Sequence, residues 1–165
     1  MKTIYLAGGC FWGTQHFVRK LRGVVSTRVG YANGNTENPT YDQVKYEHTG
    51  HAETVEVVFD ETVLPVEKLL DCYYMTIDPL AVNRQGMDFG VQYRTGIYYT
   101  DAELVPAIEA SLAALEQKLG QKPAIELAPL RQFFEAEPNH QDYLMKNPTG
   151  YCHISPELLT MAGDL

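Results

Sequence analysis

The alternation of hydrophobic and polar residues divides the chain into segments that predict strands and segments that predict helices. Short apolar runs rich in β-branched and aromatic side chains are typical of strands. Longer stretches with apolar residues three and four positions apart are typical of helices, which then bury one face. The predicted strands are residues 2–8, 24–31, 53–59 and 93–99, with a further short strand at 124–127.

The predicted helices complete the order β-α-β-β-α-β-α, which favours an α/β (α+β) protein with helices packed on a mixed sheet, as in split βαβ folds. Pro106 falls in the first turns of the third helix, so we expect that helix to start late or to bend. The predicted helices are residues 11–21, 65–75 and 104–119, with a short helix at 138–146.

Two long segments between these elements, residues 32–50 and 77–92, are predicted to be loops. Long loops inside a compact domain usually carry function. From Asn147 onward the chain holds several prolines and glycines, and we predict an irregular C-terminal tail. We therefore expect the residues that take part in chemistry at the ends of strands, in these loops and in the tail.

Length and charge narrow the possible functions. The 165 residues suit a single domain spanning residues 1–165, and 45% hydrophobic residues are enough for a core. A formal net charge of -8 argues against nucleic acid or an anionic membrane as the partner. The N-terminal apolar run is too short for a signal peptide, so we expect a cytoplasmic protein whose thiols stay reduced.

The cysteine and histidine spacings give little support for a disulfide framework or a metal site. The three cysteines lack CxxC or finger-like spacing, and the three loop histidines, His48, His51 and His140, are scattered. We therefore expect no metal and no cofactor. Cys72 lies on the second predicted helix among apolar neighbours, and a packed, inert thiol is its expected state.

Cys10 stands out because it lies between glycines and beside two aromatic residues, at the junction of the first strand and helix. The start of a helix carries partial positive charge, which should lower the thiol pKa and favour the thiolate. Phe11 and Trp12 would form a small apolar pocket beside that thiol. The alternative, a buried structural cysteine, stays open on this evidence alone.

Glu53 lies on the apolar face of its predicted strand, because alternate residues Val55 and Val57 share that face. Burial would raise the pKa of the carboxyl and let it hold a proton near neutral pH, as a general acid requires. The alternative is a glutamate at the strand end that reaches water.

Weaker candidates lie in the loops and the tail. Tyr41 and Tyr93 could donate hydroxyl hydrogen bonds, and Asp88 lies in a loop flanked by glycines; turn or packing roles remain the alternatives for all three. Cys152 lies in the tail, which could carry it to another thiol. A disulfide needs Cα atoms within about 7 Å, so a mobile segment suits a resolving cysteine.

Taken together, seven short segments resemble the A-type peptide methionine sulfoxide reductases, in order and over nearly the whole chain. These segments are residues 9–13 (GCFWG), 39–41 (PTY), 49–53 (TGHAE), 83–86 (NRQG), 88–94 (DFGVQYR), 140–144 (HQDYL) and 150–152 (GYC). The resemblance implies a ferredoxin-like core and reduction of the S epimer of methionine sulfoxide, free or in proteins.

The resemblance also implies residue roles. Cys10 would attack the sulfoxide sulfur, while Glu53 protonates its oxygen with help from the hydroxyls of Tyr41 and Tyr93. The resulting sulfenic acid would be resolved by Cys152 as a disulfide, which thioredoxin reduces. No later cysteine is present, so the relay would have two thiols, in a protein expected to be a monomer. The implied substrate-binding residues are Phe11 and Trp12 for the methyl group, and Asp88 and His140 for the main chain or ordered water.

Two other classes of function remain as alternatives. A cysteine hydrolase or acyltransferase would pair Cys10 with a histidine base such as His140. A non-catalytic module would bind methyl-bearing peptides through Phe11 and Trp12. Neither alternative explains why Cys152 and Glu53 occur together with Cys10.

Overall fold

A six-stranded sheet forms the centre of the computed structural model, which describes residues 1–165. The strands of the sheet run in the spatial order β7-β6-β1-β3-β2-β8, and β4 pairs with β5 as a separate short hairpin. The eight strands are β1 (Lys2–Gly8), β2 (Val24–Ala32), β3 (Ala52–Phe59), β4 (Arg84–Gln85), β5 (Asp88–Phe89), β6 (Thr95–Tyr99), β7 (Glu126–Pro129) and β8 (Phe133–Glu135).

The four inner strands have the order β6-β1-β3-β2, in which each neighbouring pair is antiparallel. Strand β8 adds to β2 in the antiparallel sense and β7 adds to β6 in the parallel sense, which makes the sheet mixed. The predicted split βαβ core with a mixed sheet is therefore confirmed.

Helices cover one face of this sheet. The larger hydrophobic core lies between them and strands β1 and β3, with Ile4, Leu6, Val55 and Leu69 fully buried. A smaller apolar cluster around Tyr98 lies on the opposite face. No helix of the fold combines the length and the apolar character needed to cross a membrane. The helices are α1 (Phe11–Val18), α2 (Tyr41–Tyr46), α3 (Val66–Tyr74), α4 (Val105–Leu119), α5 (Tyr143–Lys146) and α6 (Pro156–Met161).

Both predicted long loops contain regular structure, so the prediction of plain loops was wrong. Helix α2 interrupts the first, where Thr40 accepts a hydrogen bond from the Gln43 backbone and the Gln43 side chain accepts one in return. This capping box stabilises a helix too short to show a hydrophobic period. The β4–β5 hairpin interrupts the second loop, with two residues in each strand.

Three other boundaries also differ from the prediction. Tyr93 lies in a 3₁₀ turn, Val91–Tyr93, rather than at the start of a strand. Pro106 does not delay α4, because it occupies the first turn, where a missing N–H costs no helical bond. The tail is not wholly irregular, since Ser155 caps α6 by accepting from the Leu158 backbone at 3.2 Å.

Candidate active site

Cys10 occupies the turn that joins β1 to α1, at the N-cap position of the helix. Gly9 before it has φ +84°, a left-handed conformation that favours glycine, and a Cβ there would lie 2.7 Å from Cβ of Gln85. The Cys10 side chain is 6% exposed. The turn therefore holds the thiol just below the surface.

The Glu53 carboxyl lies beside this turn, on the core-facing side of β3, and is 1% exposed. Its Oε1 accepts a hydrogen bond from the Phe11 backbone N–H at 3.2 Å. Burial raises its pKa to about 8, against the opposing effect of that hydrogen bond, and the charge of Asp88 adds to the rise. The carboxyl is thus protonated at neutral pH, as strand alternation predicted.

The thiol of Cys10 does not match the prediction of a lowered pKa. Burial raises its pKa well above the usual range, and the charge of Glu53 adds to this, although the Trp12 backbone N–H favours the thiolate. The cost of desolvation exceeds the effect of the helix terminus because the thiol is enclosed. At neutral pH the site therefore holds two protons, one on sulfur and one on the carboxyl.

Tyr41 and Tyr93 bring two hydroxyls to the same place. Tyr41 is the first residue of α2, and Tyr93 is buried in its 3₁₀ turn. Burial raises the pKa of both phenols, and the charges of Glu53 and Cys10 raise them further. The ring of Tyr41 lies 6.5 Å, centroid to centroid, from that of Phe11, whose backbone N–H binds Glu53. Both tyrosines therefore remain protonated and are available as hydrogen-bond donors.

Glu137 fixes the position of Tyr41, a contact that sequence reasoning missed. One carboxylate oxygen accepts the Tyr41 backbone N–H at 3.0 Å, and the other accepts the Tyr31 hydroxyl at 2.8 Å. The sequence signal available was an acidic residue three positions before His140, but spacing alone gave it no partner.

An aromatic stack holds Trp12 at the rim of the site. Its ring stacks on Tyr143 with centroids 3.7 Å apart, and its Nε1 donates to Nδ1 of His140 at 3.0 Å. The imidazole of His140 in turn stacks on Tyr41 with centroids 4.4 Å apart. Trp12 is partly exposed, whereas Phe11 is fully buried, so the indole is the accessible part of this apolar wall.

His140 is buried within this stack, 6% exposed, and accepts the indole N–H. A ring nitrogen that accepts from Trp12 is unavailable as a base, and no hydrogen bond joins His140 to Cys10. The geometry therefore gives no support to a hydrolase based on this pair. Its predicted contact with substrate stays a prediction.

Asp88 lies on β5, and one of its carboxylate oxygens, Oδ2, is buried without a hydrogen-bond partner. Its charge raises the pKa of both Glu53 and Cys10, so it lies close to the reacting groups. An unpaired buried oxygen is a suitable acceptor for a substrate N–H.

The remaining cysteines differ in their surroundings. Cys152 is half-buried, and its Sγ lies 3.0 Å from the point that a Cβ on Gly13 would occupy, one turn along the helix that Cys10 begins. Its charge also acts on the Cys10 thiol. Cys72 is buried in the core on α3, and its charged neighbours, Lys68 and Asp71, belong to the same helix.

The histidines form no metal site. His51 is fully buried and its ring nitrogens pair with Thr49 at 2.8 Å and Gln132 at 2.6 Å, while His48 is exposed. No group of three or more histidine, cysteine, aspartate or glutamate side chains is arranged to hold a metal ion.

Comparison with known proteins identifies relatives with the same arrangement of the chain. The family model described as peptide methionine sulfoxide reductase matches residues 2–162. A peptide methionine sulfoxide reductase MsrA of Lachnoclostridium phytofermentans is 56% identical over 153 residues, which cover 93% of this chain and 92% of the relative.

Solved structures agree with this match. Mxr1 from Saccharomyces cerevisiae in reduced form superposes with a TM-score of 0.88 at 35% identity, covering 93% of this chain and 91% of the other. The same yeast protein in complex with Trx2 superposes with a TM-score of 0.61 at 25% identity, covering 86% of this chain and 84% of the other.

Proposed function

The chain belongs to the peptide methionine sulfoxide reductase family, and we propose that it reduces the S epimer of methionine sulfoxide, free or in proteins, through Cys10. One observation carries the proposal. The Cys10 thiol, a protonated Glu53 and the two tyrosine hydroxyls converge on one small site beside an aromatic wall.

Reduction of a sulfoxide needs the groups that meet here. The sulfoxide oxygen is a strong acceptor and a poor leaving group, so it must be protonated before its bond to sulfur breaks. In the proposed first step Glu53 protonates that oxygen, with hydrogen bonds from Tyr41 and Tyr93, and Cys10 attacks the sulfur. The oxygen passes to Cys10 as a sulfenic acid, methionine leaves, and the thiol proton returns to the Glu53 carboxylate. The thiol is thereby oxidised by the two electrons that the sulfoxide gains.

Stereoselectivity follows from the different binding positions for the three substituents on the sulfur. Sulfoxide sulfur is pyramidal, with an oxygen, a methyl group and the rest of the residue as its three substituents. The hydroxyls and Glu53 suit the oxygen, the exposed indole of Trp12 suits the methyl group, and the unpaired oxygen of Asp88 suits a backbone N–H. Phe11 would support this wall from behind. Only one epimer can place all three substituents and leave the sulfur open to Cys10.

The proposed second step regenerates the enzyme. Cys152 attacks the sulfenic acid, which releases water and leaves a Cys10–Cys152 disulfide, and thioredoxin then reduces this disulfide. Support comes from Cys152 lying against the helix that Cys10 begins, and from the complex of the yeast relative with Trx2.

We also propose a domain organisation, an oligomeric state and a compartment for the enzyme. We take residues 1–165 as one reductase domain that acts as a monomer in the cytoplasm and repairs proteins under oxidative stress. The match of the family model to residues 2–162 supports the single domain, and the composition supports the compartment, where thiols stay reduced.

The decisive experiment follows the oxidation of reduced thioredoxin with each epimer of methionine sulfoxide offered separately. We expect turnover on the S epimer and little on the R epimer. Equal rates on both epimers would contradict the proposed binding positions, and no turnover on either would contradict the proposed activity.

A further inference from the structure

The imidazole of His153 lies in a crevice between glycines on either side of Cys10. A Cβ added to Gly13 would lie 3.2 Å from Nδ1 of this ring, and one added to Gly9 would lie 3.3 Å from its Cε1. A Cβ on Gly86 would lie 3.3 Å from the Cβ of His153. The crevice exists because these positions carry no side chain, and it holds the ring against the backbone around the thiol.

Both ring nitrogens of His153 are buried, yet neither forms a hydrogen bond with a protein group. The Gly8 carbonyl faces the ring without meeting hydrogen-bond geometry. Buried polar side-chain atoms are normally paired, and leaving them unpaired is costly. His51 and His140 show the usual situation in this chain, since each has a hydrogen-bonded ring nitrogen.

The surroundings keep this imidazole neutral. Burial lowers its pKa, and the charge of Asp88, which faces it from the β4–β5 hairpin, opposes the effect without reversing it. A neutral imidazole has one nitrogen with a free lone pair, which accepts a proton. His153 is therefore an uncommitted base beside the proposed thiol pair.

The thiol of Cys152 lies on the same side of Gly13 as this ring. Its Sγ is 3.0 Å from the Gly13 Cβ position that lies 3.2 Å from Nδ1 of His153, so thiol and imidazole flank one point. Burial raises the pKa of this thiol, which leaves little thiolate at neutral pH. Since the thiolate is the attacking species, the resolving step needs a base.

We propose that His153 is the base of the resolving step, which takes the proton from Cys152 as that thiol attacks the sulfenic acid of Cys10. This inference rests on the proposed two-thiol relay. An S–S bond forms between the two cysteines while the S–O bond at Cys10 breaks. The imidazolium then gives its proton to the departing hydroxide, so water is released and His153 returns to its neutral form.

The test separates the two steps in a single turnover with the S epimer of methionine sulfoxide and no reductant. Methionine release reports the first step. Mass spectrometry of the peptide that links Cys10 to Cys152 reports the second, and dimedone traps any sulfenic acid that waits. For His153→Gln we expect unchanged methionine release, disulfide formation slowed by roughly 10²-fold as for the loss of a general base, and strong dimedone labelling.

His153→Ala provides a readout that a purely structural role would not give. Removal of the ring leaves a space among the glycines. Added imidazole should restore rapid disulfide formation in this variant, and it should not accelerate disulfide formation in wild type. The matched control is His48→Gln, since His48 is exposed and outside the site.

Each outcome is decisive. Disulfide formation at the wild-type rate in His153→Gln, or slow formation in His153→Ala that imidazole does not restore, overturns the role of His153. If wild-type protein releases methionine but forms no Cys10–Cys152 disulfide, the proposed relay fails and the role of His153 fails with it. If wild-type protein releases no methionine, the proposed function itself fails.

Discussion

The two proposed redox cysteines lie in regions of very different construction. Cys10 follows β1, a strand paired on both sides within the sheet, and Glu53 belongs to the neighbouring strand β3. Cys152 lies between α5 and α6, where no backbone-to-backbone hydrogen bond involves residues 151–154. The proposed first step is built on the sheet, and the proposed resolving step is built on a segment that lacks backbone-to-backbone hydrogen bonds.

Side-chain packing tethers the segment around Cys152. Ile154 is 5% exposed and belongs to the main core, and Leu158 and Leu159 of α6 pack against that core. The tether limits how far Cys152 travels between Cys10 and an external reductant. Buried side chains thus position Cys152, whereas backbone hydrogen bonds of the sheet position the strand before Cys10. Without such hydrogen bonds, the backbone around Cys152 can rearrange more easily.

The largest effect we expect removes the nucleophile from the rigid region. Cys10→Ser should abolish methionine formation, beyond the roughly 10²–10⁴-fold that loss of an acid or base costs, because a hydroxyl is not a thiol nucleophile. Methionine release in a single turnover measures this. Substantial activity in the variant would mean that the nucleophile lies elsewhere, and Cys72→Ser serves as the matched control for loss of a buried thiol.

Removal of Cys152 should separate the contributions of the two regions. Cys152→Ser should leave the first methionine release intact and stop thioredoxin-driven turnover after it, because the one remaining thiol, Cys72, is buried on α3. A rapid-quench count of methionine per enzyme, followed by thioredoxin oxidation, measures both. Sustained turnover with thioredoxin would make Cys72 the resolving thiol instead.

Glu53→Gln tests whether the rigid region supplies a proton as well as a position. The amide keeps the shape but delivers no proton, so single-turnover methionine formation should fall by at least roughly 10²-fold. In wild type the carboxyl loses its proton as pH rises through about 8, so the rate should fall there, whereas a step limited by thiol ionisation would become faster. A variant near the wild-type rate, with the same pH profile, would remove Glu53 from the mechanism.

The tyrosines should matter less individually. Tyr41→Phe and Tyr93→Phe each remove one hydroxyl while the other remains beside Glu53, so each should slow methionine formation by less than Glu53→Gln does. The double variant should cost more than either single one. Tyr46→Phe, an exposed tyrosine on the same helix as Tyr41, is the matched control. A single variant as slow as Glu53→Gln would show that one hydroxyl alone carries the role.

The smallest effect should come from the contact between the two regions. Gly13→Ala would place a methyl 3.0 Å from Sγ of Cys152 and 3.2 Å from the imidazole of His153. Both groups would have to shift by a few tenths of an ångström, so disulfide formation should slow modestly while methionine release is unchanged. Alanine is otherwise favoured over glycine within a helix, so the fold should not suffer. Gly163→Ala is the control, since nothing lies within 4 Å of a Cβ there. Slower methionine release would mean that the variant disturbs the rigid region instead.

Sequence patterns predicted the region around Cys10 and Glu53 because buried residues recur at a fixed spacing along its strands and helix. Strand alternation placed Glu53 on the buried face, and the strand-to-helix junction placed Cys10 in a turn. They failed for four of the short features, namely α2, α6, β8 and the β4–β5 hairpin, because these are too short to show a period. The capping residues Thr40 and Ser155 were the signals available there.

Contacts between residues that are distant in the sequence could not be predicted either. The stack of Trp12 on Tyr143, the support of Tyr41 by Glu137 and the crevice around His153 each join residues that only the folded sheet brings together. The prediction of a lowered pKa for Cys10 was wrong for the same reason. A helix terminus is visible in the sequence, whereas enclosure by distant segments is not.

The protonated resting state of Cys10 has a consequence for chemical selectivity. Peroxides and alkylating agents react with thiolates far faster than with thiols. A buried thiol whose pKa is raised is therefore slow toward free oxidants, while a bound sulfoxide that is activated through Glu53 needs no preformed thiolate. The same enclosure would make the protein a poor target for cysteine-directed covalent inhibitors unless the inhibitor also presents an acceptor to that carboxyl.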